Sequence, residues 1–255
     1  MRLTVLFFIS LLLERSSLTK SMDLPIDPVV ILISANGEWQ SVLSILKPKS
    51  VAKTPLGECF LHQVDAENLL FFHSGWGKTR SAAATQYLID KYAPGLLINL
   101  GTCGGLEGLA HVGEILLAES TVMYDILERM SDPDEAIDFY RATLDLGWLT
   151  KELPENTRVA RIASADQDID HRNYFLLRDK FGVLAADWES APIAWVAQAN
   201  SVKCLILRGV SDLVHPTASE TDSNVQLWLK RTRQIMQKLI DDLPFYLKLF
   251  RRNLP

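Results

Sequence analysis

The sequence predicts an α/β domain, and two observations predict it. From residue 28 onward, short apolar runs alternate with amphipathic stretches, and polar groups stand where several of those runs end. The chain of 255 residues is 48% hydrophobic and 22% charged, enough to bury one large core, which excludes collagen, coiled coil and disorder.

The run Val29 to Ala35 (VVILISA) reads as a buried strand, and EWQSVLSILK from Glu38 has helical spacing. ECFLHQV and NLLFFHS, joined by the turn-like DAE, predict a hairpin. TRSAAATQYLIDKY is an Ala-rich helix ended by Pro94-Gly95, and LLINLG is a strand that runs into a glycine-rich loop, GTCGGLEG. GEILLAES is the next strand. Residues 126 to 156 are polar and weakly patterned, the place for a flap or substrate-side insertion. RVARIASA, FGVLAADWE and KCLILRGVSD supply three further strands. Helices are expected from Asp170 to Lys180, from Ser190 to Asn200 and from about Ser223 to Ile240. No repeat or low-complexity linker divides the chain, so residues 23–255 read as one domain.

Residues 1–22 stand apart. Arg2 and the run Leu3 to Leu13 have the charge and length of a signal-peptide core, but no small-residue cleavage site follows, and Met22 offers a later start. The segment is a hydrophobic leader or a misassigned start, outside the fold. A cytoplasmic protein is the expectation, with export as the alternative if the leader is real, and no stable membrane partner.

Charge narrows the function classes. The balance of 26 Lys+Arg against 31 Asp+Glu, net −5, lacks the basic block that nucleic-acid binding needs. The one dense cluster, Arg231/Arg233 with Lys248/Arg251/Arg252, reads as a solvated helix face and tail. Cys59, Cys103 and Cys204 are odd in number and lack C-x-x-C spacing, which fits reduced thiols. Gly77-Lys78-Thr79 imitates a phosphate loop, yet Phe72 stands where its first glycine belongs. Asp166, Asp168 and Asp170 imitate a calcium loop, but His171 replaces the glycine and Leu177 the closing glutamate. The five histidines have no ligand spacing, so neither a metal nor another cofactor is expected.

What remains is a set of four strand ends: SANGEW, LGTCGGL, AADWES and LRGVSD. They carry Glu38, Glu189 and Asp212 at positions where open α/β sheets build their sites. A helix N-terminus also favours Glu38 and Glu189 by a few tenths to about 1 kcal/mol, but that accounts poorly for Asp212.

These segments resemble the nucleoside phosphorylase and nucleosidase superfamily, closest to 5′-methylthioadenosine/S-adenosylhomocysteine nucleosidases. The likeness spans about residues 28 to 240 in the family's order: S-A-N-G-E-W, G-W-G-K, N-L-G-T-C-G-G-L, D-W-E-S and R-G-V-S-D-L-V. It implies a single-domain three-layer α/β/α fold with a central mixed, partly barrel-like sheet. It also implies hydrolysis of the N-glycosidic bond of a purine nucleoside, an adenine one in the first instance. Phosphorylases of the superfamily hold phosphate with an arginine where this chain has Asn99, so water is the expected nucleophile; phosphorolysis and a non-catalytic nucleoside-binding protein are the alternatives.

The resemblance assigns roles residue by residue. Asp212 matches the acid that protonates the departing purine, for which its pKa must be raised, and Glu38 the residue that deprotonates water. Glu189 matches the acceptor of the ribose hydroxyls, supported with Asp212 by Arg208 and Ser211. Thr102, Cys103 and Gly104 would line the base and sugar. Trp188 replaces the usual methionine; Asp168, followed by Ile169, replaces the aromatic residue that stacks on the purine, which leaves the 5′ substituent open. The implied partner is a small nucleoside, and the implied assembly is a homodimer.

Overall fold

The computed structural model describes residues 24–150, 152–219 and 225–253. The leader, residues 1–22, and the expected helix start at Ser223 lie outside the described residues. In chain order the elements are β1 (Val29–Ile33), α1 (Asn36–Leu46), β2 (Ala52–Thr54), β3 (Gly57–Val64), β4 (Glu67–His73), α2 (Gly77–Tyr92) and β5 (Leu96–Leu106). Then follow β6 (Ile115–Met123), α3 (Pro133–Phe139), β7 (Arg141–Thr143), β8 (Thr157–Ser164), β9 (Ala185–Asp187), α4 (Ser190–Ala199), β10 (Lys203–His215), β11 (Ala218–Ser219), α5 (Val225–Asp241) and α6 (Leu243–Arg252).

The strands form one mixed sheet in the order β11-β10-β6-β8-β9-β5-β1-β4-β3-β2. An additional parallel pairing of β10 with β5 closes β5, β10, β6, β8 and β9 into a ring, so half the sheet is a barrel and the rest an open wing. Alternation along the strands builds the layers. Val30 and Leu32, Leu97, and Cys204 and Ile206 face Ala84 and Leu88 of α2 and Ile193 and Ala197 of α4. Val29 and Ile31, Leu96 and Ile98, and Leu205 and Leu207 face Trp39 of α1, Met236 and Leu239 of α5, and Tyr246 and Phe250 of α6. Strands buried on both faces must be apolar along a continuous run, as β1 is throughout and β10 is from Cys204 to Leu207. The result is the three-layer α/β/α arrangement expected, with a barrel-like centre.

Several expectations require correction. The glycine-rich segment is not a loop: β5 continues to Leu106, because small residues there let β10 pair with it along its whole length. Nor does β10 stop at Asp212; it continues to His215. The strand expected in FGVLAADWE is only Ala185–Asp187, and the helix expected from Asp170 to Lys180 is a 3-10 turn (His171–Asn173) and a wide π turn (Leu176–Phe181). The weakly patterned segment contains α3 and β7, α3 being started by Pro133 behind the cap of Asp132. Helix α6 was not anticipated; Pro244 sits in its first turn, where a proline starts a helix rather than stopping one. The basic cluster is not simply a solvated face either. Arg251 pairs with Glu67 and donates to Asp27 O, while Arg231 donates to Ser211 O at 2.9 Å.

Helix α5 reaches β10 because residue 209 has no side chain. A Cβ on Gly209 would lie 2.2 Å from Cγ2 of Ile235. Gly209→Ala should therefore lower stability by about 1–3 kcal/mol, read as a lower urea midpoint, and Ile235→Val should recover part of the loss. An unchanged midpoint would mean that α5 is not seated this way.

Candidate active site

Where β1, β5, β9 and β10 end, a cavity of about 650 Å³ opens. Glu38, Thr102, Cys103, Gly104, Ile169, Trp188, Glu189, Ser211 and Asp212 all line it, which brings together nine of the ten site residues expected from sequence. The tenth, Arg208, is fully buried in β10.

Glu38 is the third residue of α1, and its two oxygens make different bonds. Oε2 accepts the Ala35 N–H at 3.1 Å, as a helix-capping glutamate does. Oε1 accepts from the backbone N–H and the hydroxyl of Thr102 at 2.6 and 2.9 Å. The capping preference seen in the sequence and the site position thus belong to one residue that serves both. Glu38 is 2% exposed, and burial raises its pKa against the opposing pull of Arg208.

Glu189 precedes α4 and crosses to the start of α2, where Oε1 accepts the Gly77 N–H at 3.0 Å. The glycine turn that imitates a phosphate loop therefore has a structural role. Gly77, at φ +83°, presents its N–H to a carboxylate of the protein. Lys78 is paired with Asp125. Burial pushes the Glu189 carboxyl up to about 8, with Arg208 opposing the rise.

Asp212 is placed by a register shift. Val210 pairs with Cys103 and Asp212 with Gly104, so Ser211 is the extra residue of a bulge that turns Asp212 to the cavity. Ser211 Oγ donates to Asp212 Oδ1 at 2.5 Å and lies 3.2 Å from Cys103 O. Asp212 is 8% exposed. The Cys103 thiol is held well above its usual pKa by burial, so it is a packed wall residue and a poor nucleophile.

Beneath the three carboxylates lies a group that the sequence reading missed. Asp187 Oδ2 pairs with Arg208 Nε at 2.5 Å, and Asp187 also accepts from the hydroxyls of Ser164 and Ser190. Arg208 Nη2 donates to Asn99 Oδ1 at 2.6 Å. Asn99, read in the sequence as the place of a missing phosphate clamp, is therefore the amide that holds this arginine. The only hint of Asp187 was a carboxylate closing an apolar run. Trp76 and Trp228 also line the cavity unforeseen, Trp228 because Gly37 leaves room for it: a Cβ on Gly37 would stand 2.5 Å from the indole.

The calcium-like aspartates diverge. Asp166 accepts the Lys78 N–H, Asp168 the Trp188 indole N–H at 3.2 Å, and Asp170 pairs with Arg172. Among the described residues no group of three or more His, Cys, Asp or Glu is arranged to hold a metal ion, and no helix is long and apolar enough to cross a membrane.

The family model described as Phosphorylase superfamily matches residues 30–243. This chain belongs to the phosphorylase superfamily. A 5′-methylthioadenosine/S-adenosylhomocysteine nucleosidase of Oceanobacillus iheyensis is 24% identical over 226 residues, covering 80% of this chain and 96% of that protein. A solved nucleosidase of the same description from Helicobacter pylori, complexed with a substituted pyrrolidin-3-ol, superposes with a TM-score of 0.72 at 19% identity, covering 86% of this chain and 98% of the other. Futalosine hydrolase of the same organism reaches 0.70 at 18% identity, covering 89% and 98%. The same fold thus serves two proteins of different description, and the fold alone does not choose between them.

In this superfamily member Glu189 also makes stability depend on pH. The folded state binds its proton more tightly than the unfolded chain, so the stabilising contribution is complete below pH 4.5 and lost as pH rises to about 8. Melting temperature should fall across that window, and Glu189→Gln should flatten the slope; parallel curves would contradict the placement of this carboxyl.

Proposed function

We propose that the protein is an N-ribosyl hydrolase that cleaves the glycosidic bond of a purine nucleoside with water. An adenine nucleoside such as 5′-methylthioadenosine or S-adenosylhomocysteine is the first choice of substrate. The observation that carries the reading is Glu38. It is a buried carboxylate whose basicity burial raises, fixed by Thr102 at the cavity floor, with no Lys, Arg or His among the described lining residues. A base so placed suits activation of water, whereas a phosphate dianion would meet carboxylates and no exposed cation.

In this reading water adds to the anomeric carbon as the bond to the base nitrogen breaks. Glu38 takes a proton from the water, and Asp212 delivers one to the purine, so the products are the neutral base and a ribose derivative. Arg208 Nη1 is buried, lacks an acceptor among the described residues, and lies so close to Gly101 that a Cβ there would come within 1.7 Å of it. It favours the ionised form of Glu38, lowering its pKa against burial, and offers a donor to the water. Glu189 accepts a ribose hydroxyl, which strengthens as positive charge grows on the ring. Thr102, Cys103 and Gly104 form one wall and Ile169 and Trp188 the other, with Ser211 orienting Asp212.

A cytoplasmic setting suits the three unpaired buried cysteines, and a homodimer suits the exposed apolar side chains of Trp76, Leu127 and Met130. Light scattering should give twice the monomer mass.

Chromatography of the reaction tests the chemistry. Adenine release from 5′-methylthioadenosine should proceed at the same rate with and without phosphate. Glu38→Gln and Asp212→Asn should each lower kcat by about 10²–10⁴-fold with intact melting curves. Strict phosphate dependence would replace hydrolysis by phosphorolysis, and no turnover of any purine nucleoside would leave a binding protein.

A further inference from the structure

Asp187 borders the cavity, yet it is buried and its hydrogen bonds go to the protein. Its Oδ1 accepts the Ser164 hydroxyl at 2.5 Å and the backbone N–H groups of Glu189 and Ser190 at 3.2 and 3.1 Å. Its Oδ2 accepts the Ser190 hydroxyl and lies 2.5 Å from Arg208 Nε, which itself donates to Ser190 Oγ at 2.8 Å. The two oxygens of a carboxylate hold about four hydrogen bonds. This one is therefore filled from within the fold, and it acts on the site through what it holds.

Two working carboxylates take their positions from it. Glu189 is held directly, because the N–H groups at the start of α4, which a helix cannot satisfy itself, go to Asp187 Oδ1. Glu38 is held at one remove. With Nε on Ser190 beside Asp187, and Nη2 on Asn99 Oδ1 at 2.6 Å, the guanidinium of Arg208 is set from both ends, and the Asn99 amide is in turn fixed on Leu32 O at 2.9 Å. Nη1, which lacks a partner among the described residues, is left facing Glu38: a Cβ on Gly101 would lie 1.7 Å from Nη1 and 2.9 Å from Glu38 Oε1. Around Glu38 stand Thr102 and the Cys103 thiol of β5, Arg208 and Asp212 of β10, Asp187 of β9 and Glu189 before α4, and Arg208 is the cation among them. Of the carboxylates that act on Arg208, Asp187 acts most strongly, ahead of Glu38 and Glu189.

We propose that Asp187 is a positioning residue for the hydrolysis: it ties the backbone of Glu189 and the guanidinium of Arg208 to one point, so that the base and the ribose-binding carboxylate keep a fixed spacing and Arg208 is kept from collapsing onto either. This rests on the nucleosidase reading and deepens it. Without the charge of Asp187 the arginine has only Glu38 and Glu189 to neutralise it, and its pull on both grows. A base held by a closer cation is a weaker base.

The test is the pH profile of adenine release from 5′-methylthioadenosine. Asp187→Asn keeps an acceptor for Ser164 and the α4 N–H groups but removes the charge. It should lower kcat by about 10²-fold, change KM less, and move the acid limb of kcat/KM to lower pH by about one pH unit. Lost packing alone would lower the melting temperature and leave that limb in place. Ser190→Ala keeps both charges, and Arg208 Nε must then turn to Asp187 Oδ2 for an acceptor, which carries Nη1 away from Glu38. It should lower kcat about tenfold with the acid limb unmoved, and it decides the matter if Asp187→Asn does not fold. Infrared titration of the protonated-carboxyl band, assigned with Glu38→Gln and Glu189→Gln, reads the same effect without substrate: in Asp187→Asn the band should disappear at lower pH. A wild-type protein inert to purine nucleosides whose band still moves in Asp187→Asn would sink the hydrolase reading and keep Asp187 as the residue that sets the two carboxylates. A folded Asp187→Asn protein with wild-type kcat and an unmoved limb and band would overturn the proposal, as would wild-type kcat in Ser190→Ala.

Discussion

The Arg208–Asp187 pair is the constraint on which the rest of the site depends. Both side chains are buried, the guanidinium in the middle of β10 and the carboxylate at the end of β9. A buried ion pair contributes little net stability, but removal of one partner costs about 3–5 kcal/mol because the other is left uncompensated. Its geometry is correspondingly enforced: Ser164, Ser190 and Asn99 add further hydrogen bonds, and residue 101 must be glycine for Nη1 to fit. The same arginine lowers the pKa of Glu38 and of Glu189, opposing the burial that raises both. One cation thus opposes the burial that raises both carboxyls, which reach the cavity from α1 and from the start of α4.

One wall of the cavity, with Asp212, is built on strands, while Glu38 comes from α1 and Glu189 from the link between β9 and α4. Parallel pairing of β5 with β10 over their full lengths carries Thr102, Cys103 and Gly104 beside Val210 and Asp212. A single extra residue, Ser211, then aims Asp212 at the space between them. Trp188 and Asp168 stand on short segments that follow β9 and β8, and Trp228 stands in the first turns of α5.

Much of this was legible in the sequence. Buried runs such as VVILI and LLINL announce strands covered on both faces, and carboxylates at their ends announce a site. What was not legible has identifiable causes. GTCGG carries the composition of a loop, yet it is a strand because its partner, β10, approaches too closely for larger side chains; that is a tertiary fact with no local signature. Pro244 looks like a helix stop when read from the left and is a helix start when read from the right. Asp187 was overshadowed by Glu189 two positions on, since nothing in D-W-E says which carboxylate pairs with the arginine.

In the proposed reaction Glu38, fixed by Thr102 in a cavity walled by carboxylates, delivers water to the sugar. Turnover of 5′-methylthioadenosine in ¹⁸O-water containing phosphate, followed by mass spectrometry of the sugar product, tests it most directly. Hydrolysis yields a free ribose derivative that gains one solvent oxygen at its anomeric carbon. A ribose 1-phosphate that carries no solvent label would contradict it.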